Sequence, residues 1–222
     1  MKTLSFFILI FFLFSCQTLP VINPQSFQDN KKTFICPHPF LKEKYRLVHT
    51  IEVRMAGNTQ SAVLGVTLAD PVPRSVSCAI ITAEGIVLFE AESSPEGIKV
   101  NRALPPFDAE SLAKNMMEDI KLIFLAPDGK FKTKGLLPDG AKTCRYLQEN
   151  GDWIDVIENE SSGTQIKRYS SSGALERHVR FNNKGGDIYE SIGLQAKELF
   201  DYSLLMTLIE AQPVKTKNLK RK

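Results

Sequence analysis

The stretch YRLVHTIEVRM, residues 45–55, decides the fold because its side chains alternate in character along the chain. A period of two residues is typical of a β-strand that buries one face. After a break at Ala56-Gly57-Asn58, residues 61–68 predict a second strand, which should pair antiparallel with the first. One face of the first strand consists of Tyr45, Leu47, His49, Ile51, Val53 and Met55.

The same alternation recurs along most of the remaining chain. Short groups of Gly, Asn, Asp and Ser separate the apolar runs, and these residues are typical of turns. Strands outnumber helices, and no βαβ rhythm is present. We therefore expect a mainly β fold with some α structure, in which a large curved antiparallel sheet carries one helical insertion. Further strands are predicted at residues 75–82, 86–91, 98–104, 142–148, 153–158, 164–169, 175–181, 188–194 and 202–209.

The pattern changes after Pro105-Pro106, where apolar residues begin to recur at helical spacing. Asp108 is the predicted N-cap, and Pro127-Asp128-Gly129 ends the helix. Residues 130–142 are rich in Lys, Gly and Pro and predict a loop or lid. The helical repeat consists of Leu112, Met116, Ile120 and Ile123.

The first residues have the features of an export signal. Lys2 precedes an apolar run at residues 4–14, which is shorter than the roughly 20 residues of a spanning helix. The run ends in Leu13-Phe14-Ser15-Cys16, which resembles the lipobox of bacterial lipoproteins. The resemblance implies that residues 1–15 are removed and that Cys16 carries a diacylglycerol and a third acyl chain such as palmitate. The alternative is an ordinary secretory signal in which the cysteine occurs by chance.

A triacylated Cys16 would hold the protein on a membrane, because two or more chains give stable attachment. In Gram-negative lipoproteins an Asp after the cysteine commonly signals retention in the inner membrane. Gln17 therefore favours the outer membrane, with the protein facing the periplasm. The predicted organisation is a lipidated tether at residues 16–32, a folded domain at 33–212 and a basic tail at 213–222. The tail is expected to be a solvated end, with contact to anionic headgroups as the alternative.

Composition limits the classes of function. A hydrophobic content of 43% permits a buried core, and a formal charge of +3 is too small to indicate a nucleic-acid partner. Apart from Cys16, the cysteines are Cys36, Cys78 and Cys144, so at most one intramolecular disulfide can form in an oxidising compartment. The sequence does not choose the pair.

The sequence contains no nucleophile elbow, phosphate-binding loop, dinucleotide fingerprint or zinc motif. No catalytic residue, metal or cofactor is therefore predicted, and the protein is not expected to be an enzyme. Cys36 lies close to His38, and a hydrolase or acyltransferase that uses Cys36 or a serine is a rival hypothesis, although a structural cysteine or a disulfide partner is favoured for Cys36. His49 lies among apolar strand residues and is expected to be a hydrogen-bonded packing histidine.

The lipobox, the polar tether, the antiparallel meander and the mid-chain amphipathic helix together resemble the LolA/LolB-like carriers. That resemblance implies an incomplete β-barrel, covered by one or more helices, that encloses an apolar cavity for acyl chains. More narrowly, residues 45–127 resemble an uncharacterised family of outer-membrane lipoproteins often encoded near fatty-acid or aryl-polyene synthesis genes. The matching features are the apolar and glycine positions of residues 51–54, 62–66 and 85–89, followed by Pro105-Pro106 and the helix.

These inferences predict a membrane-anchored lipoprotein that binds or transfers acyl chains, lipid or lipidated protein. Methionine in the helix would suit ligands of varied shape, because its side chain is flexible and polarizable. The rival is an envelope assembly or interaction factor, without enzymatic activity, whose interior is filled by its own side chains. The residues predicted to line the cavity are Ala62, Leu64, Val66, Val87, Phe89, Leu112, Met116 and Ile120.

Overall fold

The computed structural model describes residues 19–24, 34–55, 58–197 and 201–215, and in these ranges it contains twelve strands and one helix. The elements before and including the helix are β1 Tyr45–Met55, β2 Asn58–Asp70, β3 Ser75–Ile81, β4 Val87–Ser94, β5 Gly97–Ala103 and α1 Glu110–Phe124. The later elements are β6 Lys130–Leu136, β7 Lys142–Leu147, β8 Trp153–Asn159, β9 Gly163–Tyr169, β10 Leu175–Gly185, β11 Ile188–Ala196 and β12 Tyr202–Pro213.

All twelve strands form one antiparallel sheet, in which nearly every strand pairs with its neighbours in sequence. The exception is the pairing of β1 with β12, which joins the two ends of the domain in the middle of the sheet. β5 and β6 are the two edge strands, and α1 connects them along the chain. The sheet is therefore open, and the prediction of a mainly β, antiparallel, unclosed fold with a helix is confirmed.

The strand predicted at residues 45–55 is β1, at the centre of this sheet. Leu47 and His49 are buried, and their partners on β2 are Thr67 and Gly65. The pairing with β12 shifts by one residue after Val48, which is a local bulge. Alternation in the sequence thus identifies both the strand and its buried face.

The helix begins one residue later than predicted. The N-cap is Ala109, and no side chain caps the first turn, so the prediction of Asp108 as N-cap is wrong. Glu110 in the first turn and Lys121 in the last turn complement the helix dipole instead.

Residues 130–142 are not a loop or lid, because the first half of this range is strand β6. It pairs with β7 from Lys130 to Leu136. Its lysines are exposed, as is common on edge strands, where one side of the strand has no partner within the sheet. A polar composition that predicts a loop is therefore also typical of an edge strand, where charged residues hinder pairing with another chain.

The segment at residues 34–41 closes one end of the concave face. Cys36 forms a disulfide with Cys144 on β7, whereas Cys78 is a buried free thiol. Phe40 and Leu41 are buried in the main core, and the Leu41 N–H donates to the Phe124 carbonyl at the end of α1, at 3.1 Å.

Residues 19–24 also contact the sheet. Asn23 exchanges two backbone hydrogen bonds with Leu136 on β6, and the Pro20 carbonyl accepts from Arg145 on β7 at 3.0 Å. This part of the predicted tether therefore packs on the domain. The predicted signal peptide with Cys16, the rest of the predicted tether and residues 216–222 of the tail lie outside the described residues. Among the residues that the structure describes, no helix combines the length and apolar character that a membrane crossing requires.

Candidate functional site

The helix identifies the concave face of the sheet. Met117 on α1 lies 3.5 Å from Cys78 on β3, measured between the two sulfur atoms. Cys78 is opposite Thr67 on β2, so Thr67 and the other buried residues of its row, Gly65 and Ala69, face the helix. Because successive strand residues point to opposite faces, the intervening residues of β2 are on the convex face.

Four of the eight predicted cavity residues lie on this convex face, so the cavity prediction is wrong for them. Ala62 is exposed, and Leu64 and Val66 are half-buried. The fourth is Val87 of β4, because it pairs with Ile81, which in turn pairs with Leu64. Both rows of β2 carry apolar or small side chains, and the row with the larger side chains points away from the helix. The inner row contains Gly65 because Ile51 of β1 fills its space, and a Cβ atom there would lie 2.5 Å from the Ile51 Cδ1 atom.

One side of α1 packs closely on β3, β4 and β5. Met117 and Ala113 are buried on this side, and Met117 has no exposed surface. Phe89 of β4 is also fully buried, and its ring lies 6.1 Å from the ring of Phe107, just before the helix. Phe89 is therefore a core residue of the closely packed side.

The other side of α1 reaches the sheet through charged side chains. Arg177 of β10 donates from Nε to the Asp119 carboxylate at 2.7 Å, and the Tyr202 hydroxyl of β12 donates to the other carboxylate oxygen at 2.5 Å. Arg168 of β9 lies 3.5 Å from Glu118. Burial raises the pKa of Asp119, and the Arg177 charge and the Tyr202 hydrogen bond oppose that rise.

The middle of the inward-facing helix surface is incompletely covered. Met116 and Ile120 point between the directions of Met117 and Asp119, because successive helical residues are rotated by about 100°. Both remain partly exposed, although their neighbours on either side are buried. The helix surface is therefore only partly covered at these two residues, which also pack against the main core, whereas Ile123 on the same line is buried.

Partly exposed apolar residues also occupy the concave face at the start of β2 and β12 and the end of β1. Ile51 is opposite Val63, and Val53 is opposite Leu204. Together these side chains form what we call the apolar mouth. The apolar mouth consists of Leu112, Met116 and Ile120 on α1 and Ile51, Val53, Val63 and Leu204 on the sheet.

The apolar mouth includes three of the eight predicted residues and four residues that were not predicted to line the cavity. Ile51 and Val53 could have been found, because they lie on the face of the first strand that its alternation defines. Val63 and Leu204 have no comparable local signal, since their position depends on pairing with β1. A hollow of about 280 Å³ opens beside Tyr202 and is also lined by Ala196, Lys197 and Asp201, but by none of the eight predicted residues.

The opposite end of the concave face buries its residues more completely, although a hollow of about 340 Å³ opens beside Phe40 and Leu41. His49 is buried there, with its ring 5.9 Å from the ring of Phe124. Within the described ranges neither ring nitrogen of His49 has a hydrogen-bond partner, so the prediction of a hydrogen-bonded histidine is wrong, although the residue does pack in the core. Burial lowers the pKa of His49 to about 4. We call this the closed end, defined by Phe40, Leu41, Leu47, His49 and Phe124.

The cysteines offer no reactive thiol in the part of the chain that the structure describes. The disulfide occupies the Cys36 sulfur, which removes the nucleophile of the hydrolase hypothesis that used this residue. Burial raises the pKa of Cys78 to about 12, so its thiol is protonated at neutral pH. The described ranges also contain no group of three His, Cys, Asp or Glu side chains placed to bind a metal ion.

Comparison with known proteins gives similarity at the level of structure. No family model matches the sequence, and no curated protein matches it. A LolA superfamily protein from Nitrosomonas europaea superposes with a TM-score of 0.53 at 12% identity, over 80% of this chain and 89% of that chain. A domain from Vibrio parahaemolyticus named for outer-membrane lipoprotein sorting gives a TM-score of 0.46 at 11% identity, over 81% of this chain and 88% of that one. The chain therefore has a fold similar to that of a LolA superfamily protein.

Proposed function

We propose that this protein is a lipid-anchored envelope protein that binds an acyl chain, a lipid or a lipidated protein in the apolar mouth. Lipid on Cys16 attaches it to the outer membrane, on the periplasmic face. The anchor is supported by the resemblance of residues 13–16 to a lipobox, and the cargo by the open, helix-covered sheet that LolA/LolB-like carriers also have.

The observation that carries this proposal is the incomplete cover of the inward helix surface. Met116 and Ile120 face the sheet, yet water reaches them. Removing apolar surface from water contributes roughly 25 cal/mol per Å², or about 0.8 kcal/mol for each buried methylene. A hydrocarbon chain that enters between these residues and Val63 buries its own surface and theirs at the same time.

The helix acts as the cover of the site in this proposal. Its closely packed side keeps it on β3–β5, and its charged side reaches β9, β10 and β12 through Glu118 and Asp119. A shift of the charged side widens the apolar mouth without exposing Met117.

A second candidate function is supported by the packing elsewhere in the concavity. Phe89, Met117 and Val156 have no exposed surface, and the Asp119–Arg177 pair fills further interior space. In this second candidate function, the protein's own side chains occupy the concavity and its outer surface binds a partner. The protein is then a non-enzymatic assembly or interaction factor of the envelope.

Two variants on opposite faces of the sheet separate these functions. Met116→Asp places a carboxylate in the apolar mouth, and we expect it to weaken binding of a fluorescent fatty acid by tenfold or more, because a charge must be buried with the ligand. Leu64→Asp is the matched control on the convex face and should bind like the unmodified protein. Fluorescence titration of the full chain measures both.

Equal binding by all three proteins would rule out the apolar mouth as the site. Native mass spectrometry of the purified protein then decides between the two candidates. A co-purified lipid supports the carrier, and a stoichiometric protein partner without lipid supports the interaction factor. The mass of the mature N-terminal peptide reports separately whether Cys16 is acylated.

A further inference from the structure

We propose that the convex face of β9–β11 is the surface that this protein lays against an anionic membrane, with Lys167, Arg180 and Lys197 contacting the phosphate headgroups. We call these three residues the convex basic patch. The inference rests on the attachment through Cys16 proposed above, and it adds the orientation of the domain on the membrane.

The position of the first described residues is the starting point. The Pro20 carbonyl accepts a hydrogen bond from Arg145, whose Nε lies 2.6 Å from the Asp155 carboxylate. Arg145 and Asp155 are buried on the convex face, on the opposite side of the sheet from the core residue Val156. Ile22 packs beside them on a small apolar cluster. The chain therefore meets the domain on the convex face, over β7 and β8.

Covalent geometry limits how far the lipid can be from this point. Cys16 precedes Pro20 by four residues, which span at most about 14 Å when fully extended. Lys167 is the direct neighbour of Asp155 on the adjacent strand. Neighbouring strands are about 4.8 Å apart, so β9 lies about 10 Å and β11 about 19 Å from β7, where Arg145 contacts Pro20. This reach allows the acyl chains on Cys16 to enter the membrane close to Lys167 of the convex basic patch.

Among the described residues, none of the three basic side chains forms an ion pair within 4 Å. The carboxylate of Asp155, which is opposite Lys167, is paired with Arg145. Alternation puts all three on the convex face, since Ile166, Val179 and Ala196 beside them are core residues. Their charges converge on His178, where they add to burial in lowering its pKa. Arg180 also adjoins Gly193, beside which a Cβ atom would meet no heavy atom within 4 Å. The patch is thus basic and open on its outer side.

The far edge of the sheet has a different charge arrangement. On β5, Lys99 lies 3.8 Å from Glu92, and Arg102 is opposite Glu90. These charges compensate one another, so this edge offers an anionic surface little attraction. Docking through the convex basic patch also turns the hollow beside Tyr202 toward the membrane, because Lys197 belongs to the patch and also lines this hollow.

Acetylation of lysines in the full lipidated protein tests this orientation. The protein is placed in vesicles of phosphatidylcholine with phosphatidylglycerol and in vesicles of phosphatidylcholine alone, and labelling rates are read by mass spectrometry. We expect Lys167 and Lys197 to react about tenfold more slowly on the anionic vesicles. Lys99 and Lys114, which are exposed on other surfaces, should react at the same rate on both.

A charge variant sharpens the test. Arg180→Gln should lower the ratio of docked to undocked protein about fivefold and raise the labelling of Lys167 and Lys197 accordingly, because each basic residue near an anionic surface contributes about that factor. Arg102→Gln is the matched control on β5 and should change nothing. Equal labelling of the patch on both kinds of vesicle, or slower labelling of Lys99 than of Lys167, would overturn the inference.

The same sample separates this inference from the proposed function. If the mature protein carries lipid on Cys16 and the patch labels equally on both vesicles, the orientation is wrong and the anchor stands. If Cys16 carries no lipid, the anchor is wrong, and the orientation that depends on it fails as well. Fatty-acid titration of the same protein reports on the apolar mouth independently of either result.

Discussion

The two sides of α1 contact the sheet in different ways. Toward β3–β5 the contact is apolar and close. Met117 contacts Cys78 there, and the Met117 side chain has no exposed surface. Toward β9, β10 and β12 the contact is made by Glu118 and Asp119 with arginine and tyrosine side chains. On this charged side, long side chains connect the helix to the sheet, whereas direct apolar packing would bring the two closer together. The apolar mouth lies along the line between these two sides.

The difference suggests a division of roles. Apolar packing stabilises the fold in proportion to the area it buries. A buried ion pair contributes less to net stability, because the loss of hydration of both charges offsets their attraction. The Asp119–Arg177 pair therefore serves mainly to position the helix across the sheet. Changing each side separately tests whether this division is correct.

The largest effect is expected from breaking the charged side at Asp119. Asp119→Ala leaves Arg177 without its main buried counter-charge and should lower the free energy of unfolding by about 3–5 kcal/mol, measured by urea denaturation. Glu118→Ala is the control on the same helix and should cost about 1 kcal/mol or less, because Glu118 is partly exposed.

A double variant shows whether the pair positions the helix or stabilises the fold. Asp119→Leu with Arg177→Met removes both charges and should regain most of the stability that Asp119→Ala loses. If the double variant is as unstable as the single one, the pair is a main source of stability and the proposed division is incorrect.

A smaller effect concerns the closed end, at His49. Below about pH 6.5 the unfolded chain binds a proton at this residue, whereas the folded protein does so only near pH 4. Protons therefore favour the unfolded state, and stability should fall by about 3 kcal/mol as the pH drops from 6.5 to 4. His49→Leu should remove this part of the pH dependence, as measured by urea denaturation at pH 4, 6 and 8.

The value at pH 8 is the internal control for His49→Leu, because the side chain is neutral there in both states and only the change in packing remains. An unchanged difference between pH 8 and pH 4 in the variant would mean that His49 is hydrated in the folded protein. The closed end would then be open to water like the apolar mouth.

Local sequence pattern was sufficient to predict most strands and the helix. Alternation over residues 45–55 identifies β1 and its buried face, since period and burial are both local properties there. β6 was missed because an edge strand keeps its lysines in solvent and so has the composition of a loop. The inward face of β2 was misassigned because both of its rows are apolar or small, and its neighbours decide which row faces the helix.

The site depends on contacts that no local pattern encodes. Asp119 and Arg177 are 58 residues apart, and the disulfide joins cysteines separated by 108 residues. Periodicity placed Met116 and Ile120 on the inward side of the helix, but it could not show that they remain partly exposed. That property depends on how the helix lies on the whole sheet, which is a feature of the folded domain.

The smallest expected difference compares two adjacent residues of the helix. Met117→Ala removes a fully buried side chain and should cost about 2–4 kcal/mol, whereas Met116→Ala removes a partly exposed one and should cost about 1 kcal/mol. Both substitutions change helix propensity equally, so the difference between them reports packing alone. Urea denaturation of the two variants measures it. Equal losses would mean that Met116 is packed as tightly as Met117, which would leave no room for hydrocarbon beneath the helix and would favour the interaction factor over the carrier.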